Sequence, residues 1–123
     1  MRRSMGLPPG GYRLEPRLAE LTFGEWEGLT WREVRKASAI LAAERERDKW
    51  NFVPPGGESY AMLAERVRPL IEELPETCVL VSHGGVARTF LNLLAGLSED
   101  KAPLVDVWQG KVLVFDDGRH RWH

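Results

Sequence analysis

A histidine and two glycines follow directly on a short apolar run in this sequence. Residues 78–82 read Cys-Val-Leu-Val-Ser, and His83-Gly84-Gly85 come next, ahead of a helical pattern over 86–95. This order predicts a strand, a tight turn and a helix. Ligands of open α/β sheets bind at the carboxyl ends of strands, and the free N–H groups of a helix start favour an anion such as phosphate. A histidine there can donate to a phosphate oxygen or transfer a proton, although the segment also suits a plain turn with a polar cap.

Acidic residues within 18–28 are the other candidates for proton transfer. This segment mixes aromatic residues, glycines and acids without a clean period, which predicts an irregular but folded loop. Taken alone, Glu20 is interpreted as an ordinary surface acid. Glu25 and Glu27 flank Trp26 and are expected to be solvated.

Composition argues against several classes of function. The chain has 123 residues, a formal net charge of −1 and one cysteine, Cys78. The near-neutral charge argues against a general nucleic-acid or membrane-surface binder, and no apolar stretch is long enough to span a bilayer. A lone cysteine in an apolar strand predicts a buried packing role and a cytoplasmic location. No histidines or cysteines are paired at metal-ligand spacing, so we expect neither a metal nor another cofactor.

Helix signals occur at two further places. Thr30 and Glu33 form a capping box, which predicts a helix that starts there and continues, with interruptions, into a charge-dense stretch over 42–49. Alternating charge predicts that this stretch faces solvent. Ser59 is the expected cap of a second helix over 60–74, whose apolar positions keep helical spacing.

The end of the chain reads as a pair of strands. Residues 104–108 and 111–115 are largely apolar and are separated by Gln109-Gly110, which predicts a terminal hairpin or two edge strands. One domain over 1–123 is expected, with residues 1–17 as a loop or weakly ordered start.

Three segments together resemble one family of enzymes. They carry the patterns LxExxFGxWEGLT over 18–30, PPGGES over 54–59 and VLVSHGG over 79–85. In this order, over about residues 17–115, they resemble the histidine phosphatase superfamily, also called the phosphoglycerate mutase-like family. The resemblance implies an α/β fold, a three-layer α/β/α phosphoglycerate mutase-like sheet that lacks its first central strand. It also implies a phosphomonoester hydrolase that transfers the phosphoryl group through a histidine.

Four positions take roles from this resemblance. His83 matches the second histidine of the family's pocket, which contacts the phosphoryl group, and the backbone N–H of Gly84 is expected to face the same phosphate. Glu20 lies four residues before Gly24, where the family carries its proton donor, so a general acid is implied there. Arg3 matches the remnant of a later arginine motif and is implied as a phosphate ligand.

The sequence departs from the family at the nucleophile. The family accepts the phosphoryl group on a histidine of an Arg-His-Gly motif, whereas the histidines here are His83, His120 and His123, none in that motif. An N-terminally truncated member with little or no turnover is therefore expected. A non-catalytic phosphate-binding or interaction module is the alternative, and an α/β-hydrolase is disfavoured because Gly-x-Ser-x-Gly is absent.

Two partners are expected on the same grounds. The resemblance implies a small-molecule phosphate ester as the substrate. The absent strand is a central neighbour of 78–82 in the family's sheet, so its loss would expose unpaired backbone groups beside an apolar strand. We therefore expect a marginally stable monomer or a homo-oligomer that covers this edge.

Overall fold

Four α-helices and one antiparallel hairpin are formed by the residues that the structure, a computed structural model, describes: 14–75, 78–108 and 111–123. None of the helices in these ranges is long and apolar enough to cross a membrane. The elements are α1 (Trp31–Ala37), α2 (Ala39–Arg47), α3 (Tyr60–Glu73), α4 (Gly84–Ala95), β1 (Leu113–Asp116) and β2 (Arg119–Trp122).

Helix α1 begins at the predicted capping box. The Thr30 hydroxyl accepts from the Glu33 N–H at 3.1 Å, and the Glu33 carboxylate accepts from the Thr30 N–H at 3.0 Å. The expected interruption lies at Ser38, which ends α1 and caps α2 by accepting from the Leu41 N–H at 3.2 Å. The helix start and the broken continuation are therefore both confirmed.

The main core lies between α3 and α4. Ser59 caps α3 as predicted, since its hydroxyl accepts from the Met62 N–H at 3.0 Å. Leu63 and Val67 of α3 are fully buried, and Val86 of α4 is 2 % exposed. Burial of each such side chain contributes about 1.5–3 kcal/mol, so this contact stabilises the packing of α4 on α3. The main core comprises Leu21, Trp50, Tyr60, Leu63, Ala64, Val67, Val86, Phe90 and Ala102.

Helix α2 is less solvated than its sequence predicts. The expectation that 42–49 faces solvent is wrong at two positions, because Ala42 is 6 % exposed and the Arg45 side chain is 12 % exposed. Ala42 packs with Trp26 and Val34 in a second, smaller core. Charge density alone does not predict which face of α2 is buried, because long charged side chains bury their stems against apolar neighbours.

The strand predicted over 78–82 is not formed within the described residues. These residues have no regular secondary structure, and their backbone groups make no hydrogen bond to any described residue. Cys78 is exposed rather than buried, and Val79 is 79 % exposed, while Leu80 packs against the main core. A strand needs a neighbour for its N–H and C=O groups, and the described ranges provide none.

The terminal hairpin is shifted towards the end of the chain. The predicted pairing of 104–108 with 111–115 is wrong, because β1 pairs with β2. Asp117 and Gly118 form the connecting turn with φ of 49° and 73°. An Asp-Gly pair favours the two-residue turns whose twist matches antiparallel strands, and this local signal outweighs the apolar pattern upstream.

Replacing Thr30 with alanine is expected to lower stability by about 1 kcal/mol at neutral pH. The backbone N–H and then the hydroxyl of Thr30 hold the pKa of Glu33 below its usual 4.5. A lowered carboxyl pKa stabilises the fold above the unfolded value, and this contribution is lost as pH falls through the folded value. Thr30→Ala keeps the backbone donor and removes the hydroxyl, so the hydroxyl's share of the penalty should be lost below pH 4.5.

Denaturant melts of Thr30→Ala and Ser59→Ala between neutral pH and pH values below 4.5 would test this. Ser59→Ala is the matched control, since its cap bonds the N–H of Met62 and no acidic residue stands in the first turn of α3. A Thr30→Ala penalty that stays constant over this range would contradict the expectation.

Candidate functional site

Two of the three sequence patterns meet through their backbones. The Glu25 N–H donates to the Pro55 carbonyl at 2.9 Å, and the Glu58 N–H donates to the Thr22 carbonyl at 2.8 Å. Gly24 has a φ of 58°, and a Cβ there would overlap the Pro55 carbonyl. Glycine is required at this position because the two chains approach more closely than a side chain allows. The loop after Glu20 is thus held rigidly against the start of α3.

The third pattern joins the first through Glu20. One carboxylate oxygen of Glu20, Oε2, accepts from the Gly85 N–H at 3.1 Å, and the other accepts from the Leu21 N–H at 3.0 Å. A Cβ on Gly85 would overlap both the Glu20 carboxylate and the Leu21 side chain. The structure therefore places the predicted acid directly against the first turn of α4, where it also complements the positive end of the helix dipole.

His83 lies beside that contact as the N-cap of α4. Its backbone is extended, with φ of −122° and ψ of 168°, and its side chain makes no capping bond. The imidazole is exposed and makes no hydrogen bond within the described ranges, so it is accessible to a ligand. Gly84 is next to it at the helix start. Arg3, the remaining predicted phosphate ligand, lies outside the described residues.

Arg66 holds the loop that carries Glu20. From α3, its Nη1 donates to the carbonyls of Arg17 and Ala19, each at 2.9 Å. Its other donors reach the Glu58 carboxylate at 2.9 and 3.2 Å. No sequence pattern marks this residue, because the two carbonyls that it binds lie 47 and 49 positions away.

Two further side chains, those of Ser82 and Arg17, fix the same loop. The Ser82 hydroxyl donates to the Leu18 carbonyl at 2.5 Å, which ties the segment before His83 to the segment before Glu20. Arg17 pairs with Glu15 at 2.8 Å and Glu73 at 2.9 Å. These two carboxylates, Glu15 first, raise the pKa of Arg17 above its usual range. The pair with Glu73 ties the loop to the last residue of α3.

Arg88 supplies positive charge near the helix start. Its Nε donates to the Val105 carbonyl at 2.8 Å, and its Nη1 lies 3.5 Å from the Tyr60 hydroxyl. A Cβ on Gly84 would stand 3.3 Å from the same Nη1. No sequence pattern distinguishes Arg88, because an arginine one turn into a helix is common.

The arrangement combines an accessible imidazole, a carboxylate, a helix N-terminus and a guanidinium. Donors and positive charge of this kind can hold an oxyanion, and the carboxyl group can supply a proton to a leaving oxygen. The described part of the chain contains no group of three His, Cys, Asp or Glu residues that could hold a metal ion.

Comparison with known proteins decides the family. The profile of the histidine phosphatase superfamily (branch 1) matches residues 6–123. The chain belongs to this superfamily. The resemblance drawn from the three sequence patterns is therefore confirmed.

Several curated histidine phosphatases are similar to the chain. A glucosyl-3-phosphoglycerate phosphatase of Mycolicibacterium vanbaalenii is 35 % identical over 104 residues, which cover 75 % of this chain and 46 % of that protein. The 6-phosphofructo-2-kinase/fructose-2,6-bisphosphatase 1 of Bos taurus is 32 % identical over 102 residues, covering 81 % of this chain and 21 % of that protein. The chain thus spans less than half the length of these relatives.

Solved histidine phosphatase structures share the fold. A mycobacterial glucosyl-3-phosphoglycerate phosphatase in complex with inorganic phosphate matches with a TM-score of 0.68 and 27 % identity. The match covers 90 % of this chain and 61 % of that one. The α/β class and the phosphoglycerate mutase-like fold expected from the sequence are confirmed.

Gly85→Ala is expected to destabilise the protein by about 1–3 kcal/mol, the usual range for overpacking. Its methyl group would overlap the Glu20 carboxylate and Leu21, which is 6 % exposed in the main core. Gly84→Ala is the matched control, because its methyl group would meet the flexible end of Arg88. Thermal melting of both variants tests the close approach of Glu20 and Leu21 to Gly85. Equal melting temperatures for the two variants would refute it.

Proposed function

We propose that this chain carries the phosphate-binding and proton-donating part of a histidine phosphatase site. The observation that supports this most directly is the Gly85 N–H bond to the Glu20 carboxylate at 3.1 Å, beside the accessible imidazole of His83. The two residues that the resemblance implicates are far apart in the sequence and converge on one helix start. The substrate class is a phosphate monoester.

The proposed roles are those that the family resemblance implies. The His83 imidazole and the N–H of Gly84 contact the phosphate oxygens, and the N-terminus of α4 adds the positive end of its dipole. Glu20 protonates the leaving oxygen as general acid. Before substrate binds, the same carboxylate caps α4, which keeps it within reach of the helix start.

We also propose that this chain has little or no turnover. The family transfers the phosphoryl group to the histidine of an Arg-His-Gly motif, and the 123 residues contain no such motif. His120, the histidine with an arginine before it, is exposed on β2 and is followed by Arg121 rather than glycine. A non-catalytic module that binds phosphate is the alternative, and a cytoplasmic location remains part of the proposal.

Phosphate and orthovanadate are expected to raise the melting temperature of the protein, since a ligand that binds only the folded state stabilises it. At a ligand concentration 100-fold above the dissociation constant the gain is about 2.7 kcal/mol. His83→Ala should abolish most of the shift. His120→Ala is the matched control, because it removes an exposed histidine far along the chain.

Hydrolysis of an aryl phosphate by the same samples tests the expected lack of turnover. A thermal shift without turnover agrees with the proposal and with the binding module alike. Turnover that equals that of relatives with the Arg-His-Gly motif and falls in His83→Ala would overturn the claim that the nucleophile is lacking. If neither phosphate nor vanadate shifts the melting temperature, the site assignment itself is wrong.

A homo-oligomer through residues 78–82 is proposed as well. This segment carries no charge and leaves its backbone groups without hydrogen bonds to the described residues. An antiparallel pair centred on Leu80 would set Val79 of one copy against Val81 of the other, a favourable β-branched pairing without like-charge repulsion. The second copy fits because the segment is nearly symmetric about Leu80.

Val79→Lys is expected to abolish self-association, since an edge lysine opposes strand pairing. Val79 is 79 % exposed, so the change leaves the core intact. Leu104→Lys, at a position 61 % exposed, is the matched control. Analytical ultracentrifugation of the three proteins provides the test, and a wild-type monomer at all concentrations would exclude the oligomer.

A further inference from the structure

The three backbone carbonyls just before Glu20, those of residues 17–19, are all bound by side chains from elsewhere in the chain. Nη1 of Arg66 donates to the first and the third, each at 2.9 Å. The Ser82 hydroxyl donates to the second at 2.5 Å. No backbone N–H of the described residues reaches any of the three carbonyls. These two side chains therefore supply the hydrogen bonds that a helix or a sheet would otherwise provide.

Arg66 is itself oriented by an acid. Its Nε and Nη2 donate to the two carboxylate oxygens of Glu58, at 3.2 and 2.9 Å. A two-pronged pair of this kind fixes the plane of the guanidinium as well as its position. Only 25 % of the Arg66 side chain and 21 % of the Glu58 side chain are exposed, so solvent screens this pair less than a fully exposed one.

Glu58 also holds the chain on the far side of Glu20. Its backbone N–H donates to the carbonyl of Thr22, two residues after the acid, at 2.8 Å. The backbone is thus held immediately before and shortly after Glu20. With both sides held, the Glu20 carboxylate is kept at the Gly85 N–H, 3.1 Å away.

Ser82 connects the same loop to the proposed anion site. It is the residue before His83, so its bond to the Leu18 carbonyl joins the segment of the proposed acid to the segment of the proposed phosphate ligand. A general acid must lie within hydrogen-bond reach of the leaving oxygen, and a displacement of about 1 Å can lower a rate about 100-fold. The separation of Glu20 from His83 is therefore a distance on which catalysis depends.

We infer that Arg66 and Ser82 are positioning residues for the Glu20 acid, and that Glu58 orients Arg66 for this role. The inference rests on the proposed function, because that function makes Glu20 the acid and His83 the phosphate ligand. Neither positioning residue touches the phosphate. Both act on the backbone before Glu20, and through it on the bond between the Glu20 carboxylate and the helix start.

The amide resonance of Gly85, in a proton–nitrogen correlation spectrum of the full chain, reports where the carboxylate lies. Glu20→Ala removes the carboxylate and so defines the resonance of a Gly85 amide without this partner. Arg66→Gln and Ser82→Ala should each move the resonance towards that reference, and the double variant should move it further. Arg68→Gln should leave it unchanged. It is the matched control, since Arg68 lies on the same helix as Arg66 with 53 % of its side chain exposed.

Glu58→Gln provides a milder test of the same contact. It removes the charge that orients the guanidinium and leaves the donors of Arg66 in place. We expect a smaller displacement of the Gly85 resonance in the same direction as in Arg66→Gln. This variant tests the role of Arg66 even where Arg66→Gln does not fold.

Titration of the same samples with inorganic phosphate separates the two proposals. The His83 imidazole resonances should respond in the wild-type protein and in the positioning variants, which also demonstrates that the variants are folded. If they do not respond in the wild-type protein, the proposed function fails. If they respond while the Gly85 resonance keeps its wild-type value in Arg66→Gln, Ser82→Ala and Glu58→Gln, the positioning role is wrong and the proposed function stands. An equal displacement in Arg68→Gln would attribute the effect to surface charge and would likewise overturn the positioning role.

Discussion

The bond between the Gly85 N–H and the Glu20 carboxylate is the constraint on which the site depends. It links an irregular loop to the start of a helix across 65 positions of sequence. Glycine is needed on one side because a Cβ would overlap the carboxylate, and Leu21 anchors the other side in the main core. A single short contact thus determines the distance between the candidate acid and the helix N-terminus.

The loops around the Gly85–Glu20 bond are held in place without regular secondary structure. Backbone hydrogen bonds join the turns at Gly24 and Pro55, and Arg66 donates four more hydrogen bonds. These bonds take the place of the hydrogen-bonded ladder of a sheet. Each of these contacts satisfies a polar group that would otherwise lose its hydrogen bond on burial. The result is a rigid loop beside an imidazole that stays exposed to solvent.

Local signals made part of this structure predictable. The caps at Thr30 and Ser59 and the helix after His83 were all identified, because capping residues and helical spacing act over a few positions. The prediction of a strand over 78–82 was wrong, because a strand must pair with a neighbour that is distant in the sequence. Arg66 and Arg88 were missed for the same reason, since nothing adjacent in the sequence specifies their partners.

The long separations within the site have a kinetic consequence. Arg66 reaches back 49 positions to the Arg17 carbonyl, and Gly85 reaches back 65 positions to Glu20. Closing such loops costs chain entropy before any contact compensates it, and non-local contacts slow folding. Helices α3 and α4 can form from local interactions and dock early. The contacts around Glu20 then form late, so a partly folded molecule has its helices but lacks the proposed anion site.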